Sequence, residues 1–249
     1  MTISYGFDIS TEKRRSVVTI GSFDGVHSGH RVLIDHLRAM AKRLDAESVV
    51  VTFDPHPRIA MGRAEGMGLL TTIEERAMLL AEAGVDHLVV AHFDEAFRSQ
   101  PYEVFVRQSL VAKLGMVGMI VGYNHRLGSG SEGNYDRLLP LASECGFEIE
   151  RVEQHLADEH KVSSTEVRKA IVEGDMSLSA KLLGRRYMVR GRAEEGVVVV
   201  EDEHKLLPKE GCYAVELKCN ETMKPATVAI SDRRLMVDAP MSGDVALYF

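Results

Sequence analysis

The sequence predicts an α/β fold, a parallel sheet covered on both faces by helices, followed by a small antiparallel β domain. Three observations predict it. Up to about residue 186, apolar runs of strand length alternate with segments of helical period. From Tyr187 onward, short period-2 runs separated by Gly, Asn, Pro and Asp replace the helices. Between the first strand and the first helix lies Gly21-Ser22-Phe23-Asp24-Gly25-Val26-His27-Ser28-Gly29-His30. It sets two imidazoles at a helix start, where unpaired N–H groups and the helix dipole already favour an anion. Gly29 lets a ligand approach the backbone there.

The elements follow in order. Val17-Val18-Thr19-Ile20 is mostly β-branched and ends at glycine, as a buried strand does, and Val32, Leu33, Leu37, Met40, Ala41 and Leu44 then share one helix face. Residues 48–53 read as a second strand, stopped by Asp54-Pro55-His56-Pro57, whose prolines impose an extended loop. Thr72-Ile73-Glu74-Glu75 has the form of a capping box opening a helix that ends at Gly84. Residues 87–91 form a third strand, 101–113 a helix, 116–121 a fourth strand, 122–130 a glycine-rich loop, 134–144 a helix and 147–152 a fifth strand. Ligands of such sheets bind beyond the carboxyl ends of the strands. His27, His30, His56 and Asn124 all lie in segments that follow a strand end. Lys161-Val162-Ser163-Ser164-Thr165-Glu166-Val167-Arg168 leads into another helical stretch, with one hydroxyl to cap the helix and the others, with the basic pair Lys161 and Arg168, to contact phosphate. The last six strands are expected at 187–192, 197–201, 212–217, 227–230, 235–237 and 245–249. A β domain this small is expected to lean on the first for stability.

The balance of 37 acidic and 30 basic residues in a chain of 249, a net charge of −7, argues against broad binding to nucleic acid or to an anionic membrane. An anionic substrate must then be held by local groups. A basic segment followed by an apolar one is missing from the start of the sequence, and no apolar run reaches membrane-spanning length, so the expected location is the cytoplasm. Cys145, Cys212 and Cys219 read as reduced thiols rather than a disulfide framework. His27, His30 and His56 could share a zinc ion, but such a site needs three or four ligands and the cysteines form no Cys-x-x-Cys pair. The sequence assigns neither metal ligands nor an oligomeric state.

Several of these segments carry a resemblance when read together. Gly21 to His30, Thr52-Phe53-Asp54-Pro55-His56-Pro57, Leu70-Thr71-Thr72, Phe93-Asp94, Val121-Gly122 and Val162 to Arg168, in this order, resemble the adenylyltransferase module of bacterial bifunctional riboflavin kinase/FAD synthetases over about residues 15–190. The resemblance implies a Rossmann-like nucleotidylyltransferase domain over 1–186 and a reduced β-barrel related to riboflavin kinase over 187–249. It implies that ATP and FMN react, with Mg²⁺, to give FAD and pyrophosphate. By the same resemblance His27, His30 and Arg168 are the catalytic group, and Ser163, Ser164 and Thr165 join Arg168 on the β- and γ-phosphates. Gly21, Phe23, Asp24 and Gly29 line the substrate, while Asp54, His56 and Asn124 lie toward the flavin and ribose.

The chain departs from the family in two places. An aromatic Phe-x-Phe-Gly segment is replaced by His125-Arg126-Leu127-Gly128, and the glycine-rich turn and Pro-Thr-Ala-Asn motif of the kinase domain do not follow Gly184-Arg185-Arg186-Tyr187. Riboflavin phosphorylation is therefore not expected.

The chemistry needs no covalent enzyme intermediate. The FMN phosphate is already ionised at pH 7, so alignment and charge stabilisation suffice. The alternatives are an adenylyltransferase for another phosphate-bearing acceptor and a flavin- or nucleotide-binding regulator without turnover.

Overall fold

The computed structural model describes residues 1–8, 15–63, 66–157, 160–220 and 222–249, and the chain divides into two compact units. The first comprises Met1–Phe23, Gly29–Glu65 and Ala77–His155; the second comprises Asp24–Ser28, Gly66–Arg76 and Leu156–Phe249.

The first unit is built on six parallel strands, β1 (Thr2–Tyr5), β2 (Ser16–Ile20), β3 (Glu47–Asp54), β4 (His87–His92), β5 (Met116–Gly122) and β6 (Glu148–Val152), in the order β1-β4-β3-β2-β5-β6. All five residues of β2 are buried, which is why the central strands read as unbroken apolar runs. The edge strand β1 carries no such run. Ile3 and Tyr5 are exposed, and β1 is the one strand of this sheet without a counterpart in the expected set.

Helix α1 (Ser28–Arg43) buries Ile34, Leu37, Met40 and Ala41, and α2 (Ile73–Glu82) opens on the expected capping box. Thr72 N–H donates to Glu75 Oε2 at 3.1 Å, and Glu75 N–H donates to Thr72 Oγ1 at 3.2 Å. The helix expected over 101–113 is a composite. Its middle, Phe105–Val111, is a π-helix between single turns at Tyr102–Val104 and Ala112–Leu114, and it ends at Gly115 with φ 61°. Helix α3 (Tyr135–Cys145) stops at Gly146 with φ 74°.

In the second unit a two-stranded piece, β7 (Leu156–Ala157) and β8 (His160–Lys161), leads to α4 (Ser164–Glu173) and α5 (Met176–Leu183). Six antiparallel strands then close into a barrel. They are β9 (Met188–Glu194), β10 (Val197–Val199), β11 (Gly211–Cys219), β12 (Thr222–Ser231), β13 (Arg234–Val237) and β14 (Gly243–Tyr248), in the order β10-β13-β12-β11-β14-β9. Val189, Val198, Leu217, Val228, Leu235 and Leu247, each fully buried, fill it. The β9–β10 connection is a two-residue turn, Glu195-Gly196, with φ of 48° and 86° and Val197 opposite Glu194. The expected α/β sheet and antiparallel barrel are both present.

Candidate functional site

The first unit holds a cavity of about 660 Å³, within the range of small-molecule sites. Its lining comes from the carboxyl ends of strands β2 to β5 and the segments after them: Gly21 and Ser22; Phe53, His56 and Met61; Phe93 and Phe97; and the loop from His125 to Ser131. Phe105, from the π-helix, completes it. The wall is aromatic. Phe97 packs against Phe53, Phe93 and Phe105 with ring centroids 5.6, 5.7 and 5.2 Å apart, and Phe7 stacks behind it. Five of the chain's eight phenylalanines thus gather in one cluster. Arg63, Arg98 and Arg126 add cations to the lining.

Two histidines face this space in different states. His56 caps the short helix Pro57–Ala60, its Nδ1 accepting from Arg58 N–H at 3.2 Å, so that lone pair is occupied. His125 Nε2 is buried with no hydrogen-bond partner among the described residues, and desolvation lowers the imidazole's pKa to about 4. His125 is therefore neutral at pH 7.

The second unit organises the residues after Phe23. The backbone takes positive φ at Phe23 (47°), Gly25 (84°) and Val26 (39°), a costly path for a β-branched residue and one concentrated at functional loops. Gly25 permits it twice over, since a Cβ there would also meet Leu70 Cδ1 at 2.7 Å. Asp24 is completely buried. Its carboxylate accepts from Leu70 N–H (3.1 Å), Thr71 N–H (2.9 Å) and the Thr71 hydroxyl (3.1 Å), and it is salt-bridged to Arg168. Arg76 lies 3.9 Å away. Arg168 also donates to Gly68 O at 2.8 Å, Ser164 Oγ donates to Asp24 O at 2.9 Å, and Arg185 donates to Gly25 O at 2.6 Å.

The structure thereby sorts the residues singled out in the sequence. Gly21 and His56 line the cavity. Phe23 is buried, and its ring centroid lies 4.9 Å from that of His30, on the first turn of α1 with Gly29; His27, 7% exposed, immediately precedes that helix. Asp54 is exposed at the end of β3, and Asn124 is exposed in the turn after β5 while its neighbours His125 and Arg126 line the cavity. Ser163 caps α4 by accepting from Glu166 N–H at 3.3 Å, Ser164 is tied to Asp24, and Thr165 is exposed on the first turn. Asp24 and Arg168, both expected at the substrate, are salt-bridged to each other.

The FAD synthetase family model matches residues 9–166. A bifunctional riboflavin kinase/FMN adenylyltransferase of Escherichia coli (strain K12) is 31% identical over 228 residues, covering 87% of this chain and 73% of the relative. The protein of the same description from Haemophilus influenzae is 31% identical, covering 81% and 68%, and that from Listeria monocytogenes 32%, covering 82% and 68%. This chain belongs to the FAD synthetase family. A solved structure described as a macrolide-efflux protein from Streptococcus pneumoniae has TM-score 0.87 and covers 99% of this chain and 88% of its own. At 24% identity that likeness carries the fold alone. Among the described residues no helix is long and apolar enough to cross a membrane.

Sequence reasoning on this family member did not find the aromatic wall. Its signal was present as Phe93 and Phe97 at one helical turn's spacing, but their meeting with Phe53 and Phe105 is tertiary.

Proposed function

We propose that this chain is an FMN adenylyltransferase, which joins ATP and FMN to give FAD and pyrophosphate. The cavity carries the reading. Four phenylalanines and two histidines suit a flat, largely apolar tricycle with polar edges, in a chain whose family is that of FAD synthetases. Relatives described as FMN adenylyltransferases support the same substrate pair.

An FMN phosphate oxygen attacks the α-phosphorus of ATP. The bond from that phosphorus to the bridging oxygen breaks, and the oxygen leaves on pyrophosphate with the electron pair. His27 and His30, with the first-turn N–H groups of α1, donate to phosphate oxygens as charge grows on them. With Ser163 capping α4 and Ser164 donating to Asp24 O, the exposed Thr165 hydroxyl is the one of the three left for the terminal phosphates. Arg168 braces the loop through Asp24 rather than binding phosphate itself. Among the described residues no group of three or more His, Cys, Asp or Glu side chains could hold a metal ion. Mg²⁺ would come with ATP, held by the nucleotide's phosphates, and would supply neutralisation of their charge.

Residues 1–186 carry this reaction, in the cytoplasm, and 187–249 form a reduced barrel without kinase activity. Chromatography of products from FMN, ATP and Mg²⁺ tests the reading, with FAD and pyrophosphate expected in equal amounts. FAD formation must fail when FMN is replaced by other phosphate-bearing acceptors. A protein that binds both substrates and forms no FAD would be a regulator instead.

A further inference from the structure

The mechanism leaves unused a lysine that is completely buried. Lys205, between β10 and β11, directs its ammonium group at three acceptors: Glu75 Oε2 at 2.5 Å, Leu70 O at 2.7 Å and Met188 O at 2.9 Å. The Tyr187 ring lies beneath it, 4.6 Å from Nζ to the centroid. Glu75, equally buried, also accepts from Thr72 N–H and, through Oε1, from Arg190 N–H at 2.9 Å. Beside the ammonium, Leu69 N–H donates to His204 O and Leu206 N–H to Leu69 O. Gly68 permits that approach, since a Cβ there would sit 2.9 Å from Leu206 Cα.

The segment pinned this way is the one that grips Asp24. Leu70 accepts from Lys205 through its carbonyl and donates to Asp24 through its N–H; Thr71 donates to Asp24 and accepts from Gly25 N–H at 3.0 Å. We infer that Lys205 is a positioning residue for adenylyl transfer, holding the Asp24–Ser28 loop, and so His27, in register through Leu70 and Thr71. The barrel is then a clamp on the nucleotide loop rather than a second enzyme. The inference rests on the adenylyl-transfer reading only for its kinetic consequence; the clamp itself is read from hydrogen bonds.

Removing the ammonium alone would strand the Glu75 carboxylate in the interior, so the decisive variant is the double substitution Lys205→Met with Glu75→Gln. The carboxamide introduced by Glu75→Gln keeps an acceptor for Arg190 N–H, while the contact to Leu70 O is lost. In the whole protein we expect a folded variant with kcat lowered about 10- to 100-fold and the KM for FMN changed less than about twofold. Amide exchange at residues 24–28 and 70–71 should accelerate at least about tenfold while the strands of the first unit keep their protection. Parent kcat and parent exchange in the folded variant would overturn the inference. If the parent makes no FAD, the functional reading fails, and amide exchange alone still decides the clamp. A variant that loses protection everywhere would show that the pair holds the fold at large, which also overturns the specific role.

Discussion

The Arg168 guanidinium and the Asp24 carboxylate meet across 144 residues of chain, the carboxylate with no exposure and the guanidinium side chain 14% exposed. Two backbone amides and a hydroxyl complete the carboxylate's coordination. Arg168→Ala removes the nearer of that buried charge's two guanidinium partners and leaves Arg76 at 3.9 Å, so the expected loss is up to about 3 kcal/mol of folding stability. Urea denaturation measures it. A fully stable Arg168→Ala protein with only a raised KM for ATP would return Arg168 to the triphosphate.

Turnover should depend on the two histidines at the start of α1. His30→Ala is expected to lower kcat by about 100- to 1,000-fold, with a smaller fall for His27→Ala, because each removes a donor that strengthens as phosphate charge develops. Circular dichroism confirms the fold in each variant. FAD formation at the parent rate by folded His30→Ala protein would refute the assignment.

His125 should make stability depend on acidity. Its folded pKa is lowered to about 4 from an ordinary 6.5 because burial disfavours the charged ring. The unfolded chain therefore binds the proton first as pH falls. The contribution of the neutral ring is complete above about pH 6.5 and is lost as pH drops toward 4, with a total on the order of 3 kcal/mol. Urea midpoints across that window should fall less steeply for His125→Gln than for the parent, and identical slopes would place the acid sensitivity elsewhere.

The barrel should not phosphorylate riboflavin. Between β9 and β10 the chain makes the two-residue turn Glu195-Gly196 with a second acidic residue, Glu194, beside it. Such a turn lacks the amides and hydroxyls that phosphoryl transfer requires and repels a triphosphate. Incubation with riboflavin, ATP and Mg²⁺ should yield neither FMN nor FAD at a rate comparable to FAD formation from FMN.

Much of the architecture was legible because burial on both faces leaves unbroken apolar runs, as in Val17 to Ile20 and residues 48–53. Strand β1 was not, because an exposed edge imposes no such pattern. The six barrel strands could be read from period-2 alternation and their turns, and the capping box from Thr72 and Glu75 alone. The partners of those same residues could not. Glu75 reads only as a helix cap until Lys205, 130 residues later, is seen against it. The salt bridge of Arg168 with Asp24 was hidden for the same reason, since a sequence displays a charge but not its partner. The cavity's chemistry was half visible, with His56 found through its motif and Phe105 hidden in a π-helix that no side-chain period announces.

The Asp24–Ser28 loop lies near the start of the chain, yet its anchors are Ser164, Arg168 and Arg185, the last 160 residues downstream of Gly25. During synthesis at the ribosome, the strand before the loop and the helix after it emerge long before those anchors do. Closing so long a stretch of chain is slow compared with forming local helices. A nascent chain short of Arg185 thus carries the His27 motif without the braces that set it. The nucleotide loop acquires its full set of braces only once Arg185 has emerged.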